Sequence, residues 1–521
     1  MKISVPCFLL CVTLASLCLK NGESARVLGL FPTHAKSHLI IQMEVMKTLI
    51  DRGHNVTVVT TLPLSKGGRN FRHVKLPESP YPKWIYTKMI EEQKGFLQGL
   101  IDGPLIMRAA LNASETSLIN LEKTGLLNEE PFDLVVFGTF FNDFFIGVAA
   151  HFKSPLVIID THRPTILTDS VVGNPSEVLY VPTGMSADRQ PLTFLGRVRN
   201  VLAHIAGSIF IKIYVRNMDG VYRKHFPEDK YPSLRDVYKN VSLILYPSHF
   251  SEGIIRPEVP TLIQIGGIQA KPKPDPLPKH LASILDGAAE HGVIFFSLGS
   301  NAKSSDRDPE RMRKIFNVFS TLKQKVIWKW ESGDYPGNAS NIFYGAWLPQ
   351  DDILAHPNLR LFVSHCGLGS VVESKFHGVP VLAIPLFGDQ FSSAKAMVDE
   401  GFAVQVSYKD LTEESLRNAI KEVLGNPSYR ERIQAFSKLY RDRPMAIRDL
   451  AAYWLEYVIR HRGAKHMQSP AVHMCAFQYY GLDVMAFLLA ILFVLFKILS
   501  FCCRKVFCIC KRQKQQKTKD E

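Results

Sequence analysis

Near its carboxyl end the chain carries eighteen consecutive residues, Val484 to Phe501, with one charge, Lys497. Such a run is long enough to cross a bilayer as a helix, and only a polar tail follows it, which leaves a buried core helix with nothing to cover it. The reading is a transmembrane helix over 483–503. Lys497 lies toward the tail, where its long stem can snorkel to the headgroups, and Tyr479 and Tyr480 stand where an interfacial aromatic belt would be. The residues after Phe501 hold seven bases against two acids, so +5 of the formal +14 sits in the last twenty residues. The positive-inside preference then predicts a cytosolic tail (504–521) and a body on the other side of the membrane.

The amino end agrees. Lys2, the apolar stretch Val5 to Leu19 and the small residues up to Ala25 form the three zones of a secretory signal, predicted to span 1–25 with cleavage between Gly22 and Ala25. Lys517 and Lys519 resemble a dilysine retrieval signal, so the expected location is the endoplasmic reticulum membrane, single-pass, type I, with the catalytic body lumenal. Sequons occur at Asn55, Asn112, Asn240 and Asn338. Asn55 opens a strand-like run and is expected to stay bare; the other three are expected to carry glycans. Most cysteines cluster at the two ends, leaving Cys366 and Cys475 between, which excludes a disulfide framework and any zinc-ligand grouping. The remaining +9 is thinly spread and argues against nucleic acid as a partner.

Between the ends lie two α/β halves. Arg26 to Phe31, a periodic stretch from Ser37 to Arg52 and Val56 to Thr60 form a βαβ unit. Strand-like runs recur at Leu134 to Phe137, Leu156 to Ile159 and Leu243 to Tyr246. A first domain over 26–265 is followed by a linker over 266–292 containing KPKPDPLP at Lys271 to Pro278. The pattern restarts over 293–440, with strands Val293 to Ser297, Lys325 to Lys329, Leu361 to Ser364 and Val381 to Ile384. Helices are expected from Pro309 to Lys323 and from Gly369 to His377. Residues 441–482 read as C-terminal helices and a juxtamembrane segment. The fold class is therefore two doubly wound Rossmann-like domains facing a cleft, plus one C-terminal transmembrane helix; such clefts bind ligands at the carboxyl edges of the strands. No GxGxxG follows the first strand and no P-loop lysine motif occurs, so dehydrogenase and nucleotide-triphosphatase readings lose their support.

The segment Trp347 to Gln390 reads WLPQDDILAHPNLRLFVSHCGLGSVVESKFHGVPVLAIPLFGDQ. It resembles the nucleotide-sugar signature of the membrane-bound UDP-glycosyltransferases, and the likeness extends to DRGHNVTVVT at Asp51 to Thr60, YRDRPM at Tyr440 to Met445 and the anchor with its basic tail. EHGVIFFSLGS at Glu290 to Ser300 and HCGLGSVVE most resemble the insect members. Independently of the resemblance, Ser364 to Ser370 lies in a strand-to-helix turn, where free N–H groups and the positive helix end favour a diphosphate. The resemblance implies a GT-B arrangement in which His365, Gly367 and Ser370 bind the diphosphate and the turn Ser297, Gly299 and Ser300 faces it. Glu373 is then placed to accept from ribose hydroxyls, Trp347 to stack on uracil and Gln350 to pair with it, while Asp389 and Gln390 hold the donor sugar. The family often has glycine where Cys366 stands.

The family's chemistry implies transfer with inversion, which needs a base for the acceptor proton while the diphosphate leaves. His38 stands at the start of the first helix, sixteen positions before His54 of the RGH motif, as the family's catalytic histidine does; His34 competes in the same loop. The family orients its histidine with an aspartate after a later strand. In FDLVVFGTFFNDFF, Phe132 to Phe145, that position falls on Thr139 by the vertebrate pattern and on Asp143 by the insect-like one, and Asp143 is the expected partner. No metal and no cofactor are expected: the UDP-sugar is a co-substrate. The expected acceptor is a small lipophilic hydroxyl compound received by the first domain, where Leu76 to Leu126 is rich in apolar residues, and membrane lipid and a homo-oligomer are further expected partners. UDP-glucose is the expected donor and UDP-glucuronate the rival, with a catalytically silent UDP-binding relative as the reading from another class.

Overall fold

A computed structural model describes residues 24–64, 67–78, 90, 96–183, 188–252, 254–300 and 302–517. Residues 1–23 of the predicted signal lie outside these residues, as do 79–89 and 91–95 of the region Leu76 to Leu126.

The first half is a seven-stranded parallel sheet in the order β3-β2-β1-β4-β5-β6-β7. Its strands are β1 (Arg26–Phe31), β2 (Asn55–Thr60), β3 (Phe71–Lys75), β4 (Leu134–Gly138), β5 (Leu156–Ile159), β6 (Val241–Tyr246) and β7 (Leu262–Gln264). Runs that read as uniformly apolar alternate between two cores, because successive side chains leave opposite faces of a strand. Val27, Val56, Val58, Leu134 and Val136 pack on one face, while Leu28, Leu30, Val59, Val135 and Phe137 pack on the other. The helix Lys36–Asp51 lays Leu39, Val45, Met46 and Leu49 on the first of these faces and ends before Gly53, whose φ of +87° suits glycine.

The second half repeats the plan with six parallel strands in the order β10-β9-β8-β11-β12-β13. They are β8 (Val293–Ser297), β9 (Lys325–Lys329), β10 (Ile342–Gly345), β11 (Leu359–Ser364), β12 (Val381–Ala383) and β13 (Ala403–Gln405). Four strands were not anticipated: β3, β7, β10 and β13. All lie at sheet edges, where partial exposure leaves no continuous apolar run of the kind that marks the equally short interior strands β5 and β12. The helix Lys279–Asp286 already buries Leu281 and Leu285 in the second core, so the folded part of this half begins inside the stretch read as linker.

The chain then returns to the first half. Helix Ile447–Arg460 buries Ala451, Leu455 and Val458 in the core that holds the Lys36–Asp51 helix. Arg448 pairs with Glu44 and, at 3.1 Å, with Asp51, and Arg52 pairs with Asp449 at 3.1 Å and Glu456 at 3.2 Å. His54 is structural: its Nδ1 accepts from the Ala25 N–H at 3.1 Å, and its Nε2 faces Glu456 at 3.4 Å.

Residues 469–521 form a second compact unit. Its helix runs Leu482–Lys517, with an apolar window over Leu482–Ile509 that buries none of its surface. The sequon Asn55 is exposed despite opening β2, so strand burial does not shield its side chain; Asn112, Asn240 and Asn338 are exposed as well.

Candidate active site

Register places the loops that matter. In the second sheet Ser364 pairs with Ser297 and with Ala383, so β8, β11 and β12 end side by side and their carboxyl-edge loops are neighbours. The helix Leu368–His377 follows at once, with Gly367 as its N-cap, no side chain capping its first N–H groups and no acid in its first turn. Those free N–H groups at the positive helix end suit a diphosphate. His365 lies wedged between two glycines: a methyl group built on Gly299 would stand 2.5 Å from His365 Nε2, and one on Gly367 2.6 Å from it. Gly299 also has φ +87°, so both geometry and space demand glycine there. Burial, reinforced by the Lys329 ammonium, lowers the His365 pKa to about 4, leaving a neutral ring beside the turn. Lys329 itself donates to the Gly299 carbonyl at 2.7 Å and pairs with Glu331 at 2.6 Å. Cys366 occupies φ +59° and is buried, a left-handed position that costs a side-chain-bearing residue about 1–2 kcal/mol.

One turn into that helix, Glu373 receives the Gln350 amide at 2.5 Å, and the same amide group reaches Ser370 Oγ at 3.1 Å. Burial pushes the Glu373 carboxyl up to about 8. Trp347, 52 % exposed, stands three residues before Gln350. Gln390 is buried and its carbonyl accepts from the Leu386 and Phe387 N–H groups at 2.8 and 3.2 Å, which fixes its amide end beside half-buried Asp389 at the start of helix Gln390–Asp399. Ser300 is half-buried in the turn after β8.

The first sheet aims its own carboxyl edge at these groups. His38, at the start of the Lys36–Asp51 helix, shares its Nδ1 with Thr161 Oγ1 at 2.8 Å; Thr161 follows β5. The rings of Phe140 and His162 meet it edge-on, at 4.8 and 5.0 Å between centroids. Burial, with His162 adding to it, holds the His38 pKa well below the ordinary imidazole value. Burial opposes charge on His162 too, but Asp160, 3.3 Å from its Nδ1, and the field of Asp389 outweigh it and raise its pKa. Across the cleft Lys36 places its Nζ 3.1 Å from the centroid of the Trp347 ring. Burial and Lys329 both lower the Lys36 pKa.

The structure does not bring Asp143 to His38. Asp143 opens a 3₁₀ turn and points into the core, where the Tyr214 hydroxyl and Thr139 Oγ1, the latter at 3.2 Å, donate to its carboxylate. Burial raises its pKa. Thr139, the other position considered, is thereby engaged with Asp143 and not with His38. The loop earns its shape from Asn142, whose Oδ1 accepts from the Phe140 N–H at 2.6 Å while Phe141 sits at φ +54°; the result is Phe140, not a carboxylate, against His38. Sequence reasoning missed Lys36, Thr161, His162 and Lys329. For two of them a signal existed: Asp160-Thr161-His162 directly follows a buried parallel strand, a position where ligand-facing groups collect. Gln42, one turn beyond His38, is buried with neither amide atom partnered, and a methyl group on Gly138 would lie 2.2 Å from its Nε2.

Two parallel α/β sheets, with loops that touch through Lys36 and Trp347, give a fold of the GT-B type. The solved structures of this fold agree: a UDP-glucosyltransferase from Polygonum tinctorium superposes with a TM-score of 0.56 at 17% identity, over 84% of this chain and 99% of that one. CalG4, the calicheamicin glycosyltransferase, gives 0.53 at 17% over the same shares. A family model for UDP-glucoronosyl and UDP-glucosyl transferase matches residues 26–517, and the chain belongs to that family. UDP-glucosyltransferase 2 of Dactylopius coccus is 35% identical over 95% of this chain and 96% of its own length. UDP-glucuronosyltransferase 1A1 of Mus musculus is 31% identical over 96% and 95%. The protein is therefore a UDP-dependent glycosyltransferase.

Proposed function

We propose that this enzyme moves glucose from UDP-glucose to a hydroxyl of a small lipophilic acceptor with inversion, using His38 as general base. The observation that carries the proposal is the contact of Lys36 with Trp347, because it puts the helix start that bears His38 against the nucleotide-binding half. If His38 Nδ1–H donates to Thr161 Oγ1, Nε2 keeps its lone pair for the acceptor proton. A neutral His38 at physiological pH is what burial provides, and the arriving diphosphate raises its basicity again by opposite charge. The acceptor oxygen attacks the anomeric carbon from the face opposite the diphosphate, the proton passes to His38, and UDP leaves with its charge held at the N-terminus of helix Leu368–His377. Thr161 takes the positioning role expected of an aspartate, with His365, Gly367, Ser370, Gln350, Glu373, Trp347 and Ser300 holding UDP and Asp389 and Gln390 the sugar. His38, Phe140 and Phe141 line the side from which an apolar acceptor arrives.

Glucose is preferred over glucuronate because the relative of highest identity named above is a glucosyltransferase and Asp389 offers a carboxylate, not a cation, to the donor sugar. The apolar helix Leu482–Ile509 anchors the chain in the endoplasmic reticulum membrane with its body lumenal. Membranes holding the protein, given UDP-glucose or UDP-glucuronate and a panel of phenols and steroids, should yield a β-glucoside from the first donor. A glucuronide as main product would reverse the donor assignment, and tight UDP binding with no product from any acceptor would identify a silent relative.

A further inference from the structure

The helix Phe194–His225 has the composition of a membrane-contacting element although it belongs to the body of the protein. Over its first twenty residues one side is covered, with Gly196 and Asn200 buried, while the other stays open: Leu195 is 65 %, Leu202 62 % and Ile209 56 % exposed. With Val198, Ile205 and Ile213 these side chains recur at intervals of three and four residues, a single apolar stripe along the helix. Around the stripe stand Arg197, Lys212 and Arg216, while Arg199 pairs with Asp188 at 2.7 Å; within the helix no acid occurs from Phe194 until Asp219. Apolar residues flanked by cations without acids are the pattern of a helix that lies in the interface of a bilayer, its stripe among the acyl chains and its cations at lipid phosphates.

We propose that the Phe194–Arg216 part of this helix docks on the lipid surface. A second copy of the chain is the poorer occupant. An antiparallel self-pairing through the stripe would set Arg197 opposite Lys212 and Arg216 of the other copy, like charge against like. Lipid headgroups reverse that sign. The proposal rests on reading Leu482–Ile509 as an anchor, since the anchor keeps the body at a membrane, and two weak attachments together hold what one does not. The carboxyl half of the same helix bears Tyr214, whose ring stands 5.9 Å from Phe141, itself 5.6 Å from Phe140 and so next to His38. A docked helix thus puts the lipid phase at one end of a series of rings that reaches the candidate base.

The test is photocrosslinking of the full chain in vesicles of phosphatidylcholine and phosphatidylserine, with a photoreactive residue at Ile205 or, as control, at exposed Lys421. Lipid adducts at Ile205 and none at Lys421 are expected. With Leu202→Glu and Ile209→Glu added, the Ile205 adduct should fall several-fold while UDP binding persists. Crosslinks between copies in place of lipid adducts, no adduct at Ile205, or an adduct unaffected by the two charges would overturn the proposal. Alkaline extraction tests the anchor separately: release of the chain would defeat the anchor reading alone, and the Ile205 adduct would still be read on the vesicles supplied.

Discussion

The Lys36 ammonium lies 3.1 Å from the Trp347 ring centroid, so a uracil stacked on that face, as proposed, would compete with it. A bound diphosphate gives the displaced ammonium a better partner beside Lys329 and the Gly299 turn. Lys36→Met should therefore bind uridine at least as tightly as wild type while losing about ten-fold in UDP affinity, or about 1.4 kcal/mol; equal losses for both ligands in calorimetry would contradict this. Glu373 makes a second demand. Its carboxyl is raised to about 8, so it is protonated at neutral pH in the empty site, and ribose hydroxyls donate better to the carboxylate. UDP-glucose binding should then release a proton and strengthen as pH rises toward about 8, a dependence that Glu373→Gln removes. The linkage for the empty protein has the opposite sign. A carboxyl raised above its ordinary value favours the folded state at low pH and gives up that contribution as pH climbs through about 8.

At the scale of elements, the long buried strands and the helix Leu368–His377 were legible because burial on both faces leaves continuous apolar runs and the HCGLGS turn announces a helix start. The edge strands were not, since at a sheet edge polar residues such as Gln264 interrupt the apolar run. Apart from Ser300, the candidate donor-side residues come from one contiguous segment, Trp347 to Gln390. Those of the acceptor side do not: Lys36, Phe140 and Thr161 are far apart in sequence and are gathered only by the register of β1, β4 and β5. Asp143 shows the limit: a carboxylate in the right loop is turned inward by Tyr214, which lies on a helix many residues away. The returning helix Ile447–Arg460 supplies another expectation. Leu455 is fully buried in the first half's core, so Leu455→Ala should cost about 2–5 kcal/mol of stability in denaturant unfolding, with Arg448→Ala costing less because its guanidinium is partly exposed and one partner, Asp51, is well solvated.

The molecule as a whole combines two sheets whose carboxyl edges converge, a helix that crosses back to tie the second half to the first, and an apolar C-terminal helix. The convergence gives the account its content. In the proposed mechanism the second half holds UDP at the N-terminus of helix Leu368–His377 and the opposite half supplies the base; the contact of Lys36 with Trp347 brings the two halves' loops together. Thr161→Val should leave UDP binding intact and lower kcat, because it removes only the partner of His38 Nδ1. The most direct test is acceptor-dependent UDP release from UDP-glucose by membranes carrying wild type or His38→Ala. The account predicts release by wild type and a fall of about 10²–10⁴-fold in kcat for His38→Ala with UDP affinity unchanged; equal rates from the two proteins would show that His38 is not the base.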